Sequence, residues 1–302
     1  MIRLLALFSL VLMWLAPAQA APRHATQCDS PRPLKLALVP LKDPNTQARQ
    51  YRPLIKGLEQ ATGRRVQAVP ATSYGAVIEG LLAGDIDLAE MGPASYAIAM
   101  SRGAKIKPVA SFRLQQGPAT PDSRAYHSVL ITRHAHPAKD LGQLRGSTLS
   151  LTDPASTSGA ILPRKAMQGL TGVTLESYFS RITFAGSHDR SLEAVRSGRV
   201  DAAFVSSTSI DDAVRRGALR IEEIRILWRS KPIPYDPFVV RQALCPALQD
   251  QIRQVFLGNA EPLRRMLHEM GMTGFVPVTD EDYREIRMLY PDQSAHLAMP
   301  PG

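Results

Sequence analysis

The stretch SYGAVIEGLLAGDIDLAEMGPASYAIAMSRG, residues 73–103, aligns without gaps to SHDRSLEAVRSGRVDAAFVSSTSIDDAVRRG, residues 187–217, at a constant offset of 114. Nine positions are identical: Ser73/Ser187, Glu79/Glu193, Gly84/Gly198, Asp87/Asp201, Ala89/Ala203, Ser95/Ser209, Ala99/Ala213, Arg102/Arg216 and Gly103/Gly217. In each copy a helical run ends at a glycine, an apolar strand begins at Ile86 or Val200, and a second helical run follows. One helix–strand–helix unit used twice predicts two related lobes facing each other across a cleft. Tyr74 and His188 hold equivalent places at the start of the first helix of each copy.

The alternation continues outward from the repeat. Strand candidates are Leu34 to Val39, Val66 to Val69, Ile86 to Glu90, Tyr126 to Thr132, Thr148 to Leu151, Ile182 to Phe184, Val200 to Val205 and Ile224 to Trp228. Helices are expected at Ala48 to Ala61, closed by Gly63, and at Gly75 to Ala83. Strand–helix alternation predicts an α/β fold with largely parallel sheets flanked by helices. The residues from Pro246 onward read as helices packing on a finished core.

Arg3 precedes the apolar run Leu4 to Leu15, and Ala18-Gln19-Ala20 follows as an A-x-A cleavage site, so residues 1–20 read as a signal peptide. A membrane anchor would want roughly 18 or more apolar residues, more than this run supplies. About 282 residues then remain, which suits two lobes better than one core. The expected division is 34–120 plus 237–290 in one lobe and 126–232 in the other. Crossings are expected near Gly117 to Tyr126 and near Lys231 to Phe238, and residues 291–302 form a tail.

The formal charge is +9, falling to +8 once Arg3 is removed with the leader, a balance suited to an anionic ligand. Lys and Arg are scattered and do not form a stripe with interleaved aromatics, which argues against nucleic acid as a partner. Cys28 and Cys245 are the only thiols. They do not form a metal-binding cluster. In an oxidising compartment they can pair as one disulfide or remain as two buried thiols.

In open α/β sheets, ligands bind beyond the carboxyl ends of strands, where helix N-termini present unpaired N–H groups suited to an oxyanion. Four segments fit that position. Asp153-Pro154-Ala155-Ser156-Thr157-Ser158-Gly159 puts three hydroxyls, Ser156, Thr157 and Ser158, at one helix start. Ala185-Gly186-Ser187-His188-Asp189 runs from a strand into a helix and offers the His188 ring as a donor. Met91-Gly92-Pro93-Ala94-Ser95 places the Ser95 hydroxyl beside a proline-started helix. Ile233-Pro234-Tyr235-Asp236-Pro237 lies near the expected crossing between lobes, with Asp236 able to accept from a protonated oxyanion or from a positively charged ligand group. Taken singly, each segment is also ordinary helix capping or turn chemistry.

Together with Tyr74 in Ser-Tyr-Gly-Ala-Val-Ile-Glu-Gly and Tyr126 in Tyr-His-Ser-Val-Leu-Ile, these motifs resemble the phosphate-, phosphite- and phosphonate-binding proteins of ABC importers. The resemblance spans roughly residues 34–275, with the motifs in family order. It implies the two-lobed type II periplasmic-binding-protein fold. It also implies that Ser156, Thr157, Ser158 and His188 hold the phosphorus-bound oxygens, that Tyr74 and Tyr126 contribute hydroxyls, and that Asp236 reaches the ligand from the inter-lobe side. Relatives that bind aminoalkylphosphonates use a Glu about 20 residues after the His; Thr208 stands there in this chain, which points to phosphite, phosphate or a simple alkylphosphonate.

The expected role is therefore capture of a small phosphorus-containing anion in the periplasm and delivery to an ABC permease by hinge closure, with no cofactor and no metal, by a chain acting as a monomer. A sensory protein on the same fold, presenting its closed form to a membrane receptor, is the alternative. Enzymatic function is not expected: the chain lacks a G-x-S-x-G elbow, a Walker loop and a metal-spaced cluster, and the consecutive Ser187, His188 and Asp189 cannot supply triad geometry.

Overall fold

The computed structural model describes residues 28–290; the expected leader and the C-terminal tail lie outside them. The strands are β1 (Leu34–Leu38), β2 (Val66–Val69), β3 (Leu88–Glu90), β4 (Ile106–Leu114), β5 (Ala125–Tyr126), β6 (Ser128–Arg133), β7 (Thr148–Leu151), β8 (Arg181–Phe184), β9 (Ala202–Ser206), β10 (Ile224–Arg229), β11 (Ile233–Pro234), β12 (Pro237–Arg241) and β13 (Met272–Val276). They form two main sheets, ordered β13-β4-β12-β3-β1-β2 and β10-β6-β9-β7-β8. The chain leaves the first sheet after β4 and returns to it in β12. The two connections pair with each other as the antiparallel ribbon β5–β11.

The duplication is visible in both topology and detail. In one lobe β2, β1 and β3 run parallel and β12 is antiparallel beside β3; in the other β8, β7 and β9 run parallel and β6 is antiparallel beside β9. Ser73 and Ser187 cap equivalent helices, Tyr74–Leu82 and His188–Arg196, through Ser Oγ to the backbone N–H of Ala76 and Arg190. Gly84 and Gly198 follow with φ of 74° and 73°, the left-handed region that a side chain would strain. Asp87 and Asp201 do the same work in each lobe: Asp87 Oδ2 accepts from the Lys35 N–H at 2.9 Å, at β1, and Asp201 Oδ2 from the Thr148 N–H at 2.8 Å, at β7. The identities at 87 and 201 thus fix each central strand to its neighbour.

Each sheet is covered on both faces, which is why its strands read as unbroken apolar runs. On β12, Phe238 and Val240 pack into one cluster with Leu36, Leu54 and Leu58, while Val239 faces the other with Ala37, Val77 and Ile78. In the second lobe Val129 and Ile131 of β6 face one cluster, and Leu130 faces the other with Leu149 and Phe204.

The reading of the chain after Pro246 as helices needs one correction. The helix Pro246–Leu257 forms, but Met272–Val276 is an edge strand paired antiparallel to β4. Gly274 and a register shift interrupt its alternation, which hides it from a period-two reading. Cys28 and Cys245 are joined by a disulfide with Cα atoms 4.7 Å apart, tying the N-terminal arm to the start of that helix.

Candidate functional site

Helix starts and strand ends of both lobes converge on one cavity of about 40 Å³. Tyr74, Tyr126, Ser156, Thr157, Ser158, His188 and Asp236 all line it. Ser95 does not: its buried hydroxyl donates to the Ala155 carbonyl at 2.9 Å, so it ties the helix Pro93–Ser101 to the facing loop and is not free for a ligand.

The loop after β7 is shaped by its own hydrogen bonds. Ser156 Oγ accepts from the Gly159 N–H at 3.1 Å and caps the π-helical turn Thr157–Ile161. Gly159 is required for close approach, because a Cβ there would stand 2.2 Å from Thr152 Oγ1. Three contacts dock this loop on the other lobe: Tyr74 N–H to Asp153 Oδ2 at 3.2 Å, Ala94 N–H to Thr157 Oγ1 at 2.9 Å, and Ser95 Oγ to Ala155 O. Since Thr157 Oγ1 accepts from Ala94, its own proton remains available to donate toward the cavity.

His188 is held as a neutral donor. Its Nδ1 accepts the Ser206 backbone N–H at 3.1 Å and lies 3.0 Å from Thr152 Oγ1. A backbone N–H can only donate, so Nδ1 carries no proton and Nε2 carries the ring's N–H. Burial pushes the imidazolium down to about 3, so the ring stays neutral across ordinary pH.

The phenols of Tyr74, Tyr126 and Tyr235 are pushed well above their ordinary value, by burial first and by the nearby Asp236 next, and remain donors. The Tyr74 hydroxyl is buried without a hydrogen-bond partner among the described residues. Such a group costs free energy unless a ligand satisfies it.

Burial raises Asp236 to about 7. Behind it, Glu90 is raised to about 8, by burial first and by Asp236, against the lowering effect of the Tyr51 hydroxyl bonded to it. Near pH 7 Glu90 is therefore mostly neutral and Asp236 about half protonated, and a protonated Asp236 can itself donate. The cavity's lysine, Lys42, is paired with Asp212 at 3.0 Å. The site is thus a set of neutral hydroxyl, phenol and imidazole donors with helix N-termini behind them, suited to a desolvated anion with several oxygens. Among the described residues no group of three or more His, Cys, Asp or Glu could hold a metal ion.

Lys42, Tyr51, Asp212 and Tyr235 also line the cavity and were not among the residues expected from sequence. Tyr235 stands inside the Ile-Pro-Tyr-Asp-Pro motif, so its neighbour carried a signal. Tyr51, in the middle of the helix Pro44–Thr62, and Lys42, on the loop before it, carried none.

Comparison with known proteins gives the same family from several directions. The family described as ABC transporter, phosphonate, periplasmic substrate-binding protein matches residues 36–283. The phosphate-import protein PhnD of Mycolicibacterium smegmatis is 31% identical over 285 residues, covering 88% of this chain and 87% of that protein. The phosphonates-binding periplasmic protein of Escherichia coli is 26% identical over 275 residues, covering 89% and 78%. The crystal structure of a binding protein component of an ABC phosphonate transporter from Pseudomonas aeruginosa superposes with a TM-score of 0.76 at 22% identity, covering 86% of each chain, and shares the two-lobed type II fold. With its duplicated lobes and a match over residues 36–283, this chain belongs to the periplasmic phosphonate-binding family of ABC-transporter substrate-binding proteins.

Proposed function

We propose that this protein captures a small phosphorus oxyanion, namely phosphate, phosphite or a simple phosphonate, between its lobes and delivers it to an ABC import permease. The observation that carries this reading is the convergence of neutral donors from both lobes on a cavity of about 40 Å³. A cavity of that size suits a small ligand. Ser156, Thr157, Ser158 and His188 would hold the oxygens, Tyr74 and Tyr126 would add phenolic donors, and Asp236 would share a proton with the ligand.

Donors supplied by both lobes give the anion more contacts in the closed form than in an open one, and that difference favours closure. The lobes would comprise 34–120 plus 237–290 and 126–232, moving about the paired connections β5 and β11. Export through the leader at residues 1–20 would place the protein in the periplasm, where it would act as a monomer without catalysing a reaction. Relatives named for phosphate import and for phosphonate binding support the ligand class. Thr208, whose Oγ1 lies 2.7 Å from Ser206 Oγ, puts a hydroxyl where amine-binding relatives carry a carboxylate, which favours a ligand without an amine.

Calorimetric titration of ligand-stripped protein with phosphate, phosphite, methylphosphonate, 2-aminoethylphosphonate and sulfate tests the reading. Saturable tight binding of a phosphorus oxyanion, with sulfate and the aminophosphonate much weaker, is expected. Silence toward every phosphorus compound would overturn it.

A further inference from the structure

Lys42 and Asp212 meet across the cleft. Lys42 follows β1 in one lobe, Asp212 lies on the helix Ser207–Arg215 of the other, and their charged atoms are 3.0 Å apart. Both line the cavity; Lys42 is partly exposed, whereas Asp212 is buried, as are Ser156, Thr157 and Ser158. The partly exposed Lys42 therefore places the pair where the cavity meets solvent.

Asp212 is also bonded within its own lobe, to Arg215 at 2.8 Å and to Arg216 at 2.9 Å, and Arg216 in turn pairs with Asp189 at 3.1 Å. Arg215 reaches back across the cleft to the Met270 carbonyl at 2.9 Å. Burial alone would raise the Asp212 carboxyl, but Lys42 and the two arginines outweigh it and hold the group below its usual range. The Lys42–Asp212 pair is thus largely desolvated, its surrounding arginines are partly exposed, and the cluster is complete only when the lobes are together.

We propose that the Lys42–Asp212 ion pair is the latch that closes the cleft over the ligand and sets the upper limit on ligand size. The inference rests on the reading of the cavity as an oxyanion site. In a cavity of about 40 Å³ a long alkyl substituent on the oxyanion would crowd the pair and part it. Asp212 then keeps two arginines, whereas the partly buried Lys42 loses its partner; the penalty falls on closure around large ligands only. Small anions leave the latch intact and gain from it.

The test is titration of wild type, Lys42→Arg and the double variant Lys42→Met/Asp212→Asn with methylphosphonate and propylphosphonate. The double variant removes both charges of the pair, while Arg216 keeps Asp189 and Arg215 keeps the Met270 carbonyl. It should bind methylphosphonate at least about tenfold more weakly and narrow the methyl-to-propyl affinity ratio by about tenfold or more, while Lys42→Arg keeps the wild-type ratio. Should the double variant fail to fold, Lys42→Met alone is expected to move the ratio in the same direction. A ratio within about threefold of wild type would overturn the latch while leaving the oxyanion site standing. A wild-type protein silent to methylphosphonate, propylphosphonate and phosphate would remove the reading of the site and the latch with it.

Discussion

Replacing Glu90 by glutamine should flatten the fall of stability with rising pH. Glu90 is 1% exposed on β3; its Oε2 accepts from the Tyr51 hydroxyl, and its Oε1 has no partner among the described residues. Burial moves its carboxyl from about 4.5 up to about 8. Between those values the folded protein holds a proton that the unfolded chain has released, so stability declines as pH rises and levels off above the folded value. At about 1.4 kcal/mol per pH unit, the interval from pH 6.5 to 8 should cost about 2 kcal/mol through Glu90.

Asp236, raised to about 7, adds a smaller loss over the first part of the same interval. His188 acts in the opposite sense and at lower pH: its folded value of about 3 makes stability rise between about 3 and 6.5 and contributes nothing above. Urea denaturation of ligand-stripped wild type and Glu90→Gln at pH 6.5 and 8 isolates the Glu90 contribution. The wild type should lose about 2–3 kcal/mol and the variant about 1 or less, whatever uniform offset the new amide introduces. Parallel losses in the two proteins would refute the assignment of Glu90 as a buried neutral acid.

Other substitutions probe different parts of the architecture. Thr157→Val removes a hydroxyl proposed to donate to the ligand and strands the Ala94 N–H, so affinity for phosphate should fall by about 1.5–3 kcal/mol in titration, while Thr157→Ser stays near wild type. Gly159→Ala drives a Cβ against Thr152 and should disrupt the loop after β7, seen as loss of phosphate binding with the denaturation midpoint also lowered. Replacing both Cys28 and Cys245 by serine opens a link between residues 217 apart in sequence and should cost about 2–5 kcal/mol in chemical unfolding, with anion affinity unchanged because the disulfide is not part of the cavity.

The duplication carried much of the fold in advance. The identities at 73/187, 84/198 and 87/201 turned out to be the caps, the left-handed glycines and the inter-strand aspartates that each lobe needs, so their repetition had a physical cause. The strands β4 and β13 were less legible. β4 is a long strand whose register against β12 skips Val109, and β13 owes its conformation to pairing with β4, a contact made between residues distant in the chain. Within the site, hydroxyls gathered in one segment were readable because the local turn assembles them. Ser95 was misleading for a related reason: its motif resembles a ligand loop, yet the opposing Ala155 carbonyl takes its hydroxyl. Lys42 and Asp212 are 170 residues apart and meet only where the two lobes face each other, and nothing local at either position marks that meeting.

The most direct measurement is a crystal structure of the protein with methylphosphonate. One phosphorus atom should lie in the cavity, its oxygens within about 2.6–3.2 Å of the Ser156, Thr157 and Ser158 groups and of His188 Nε2. An anion bound outside that cavity, or a cavity filled by a ligand without an oxyanion, would contradict the proposed function.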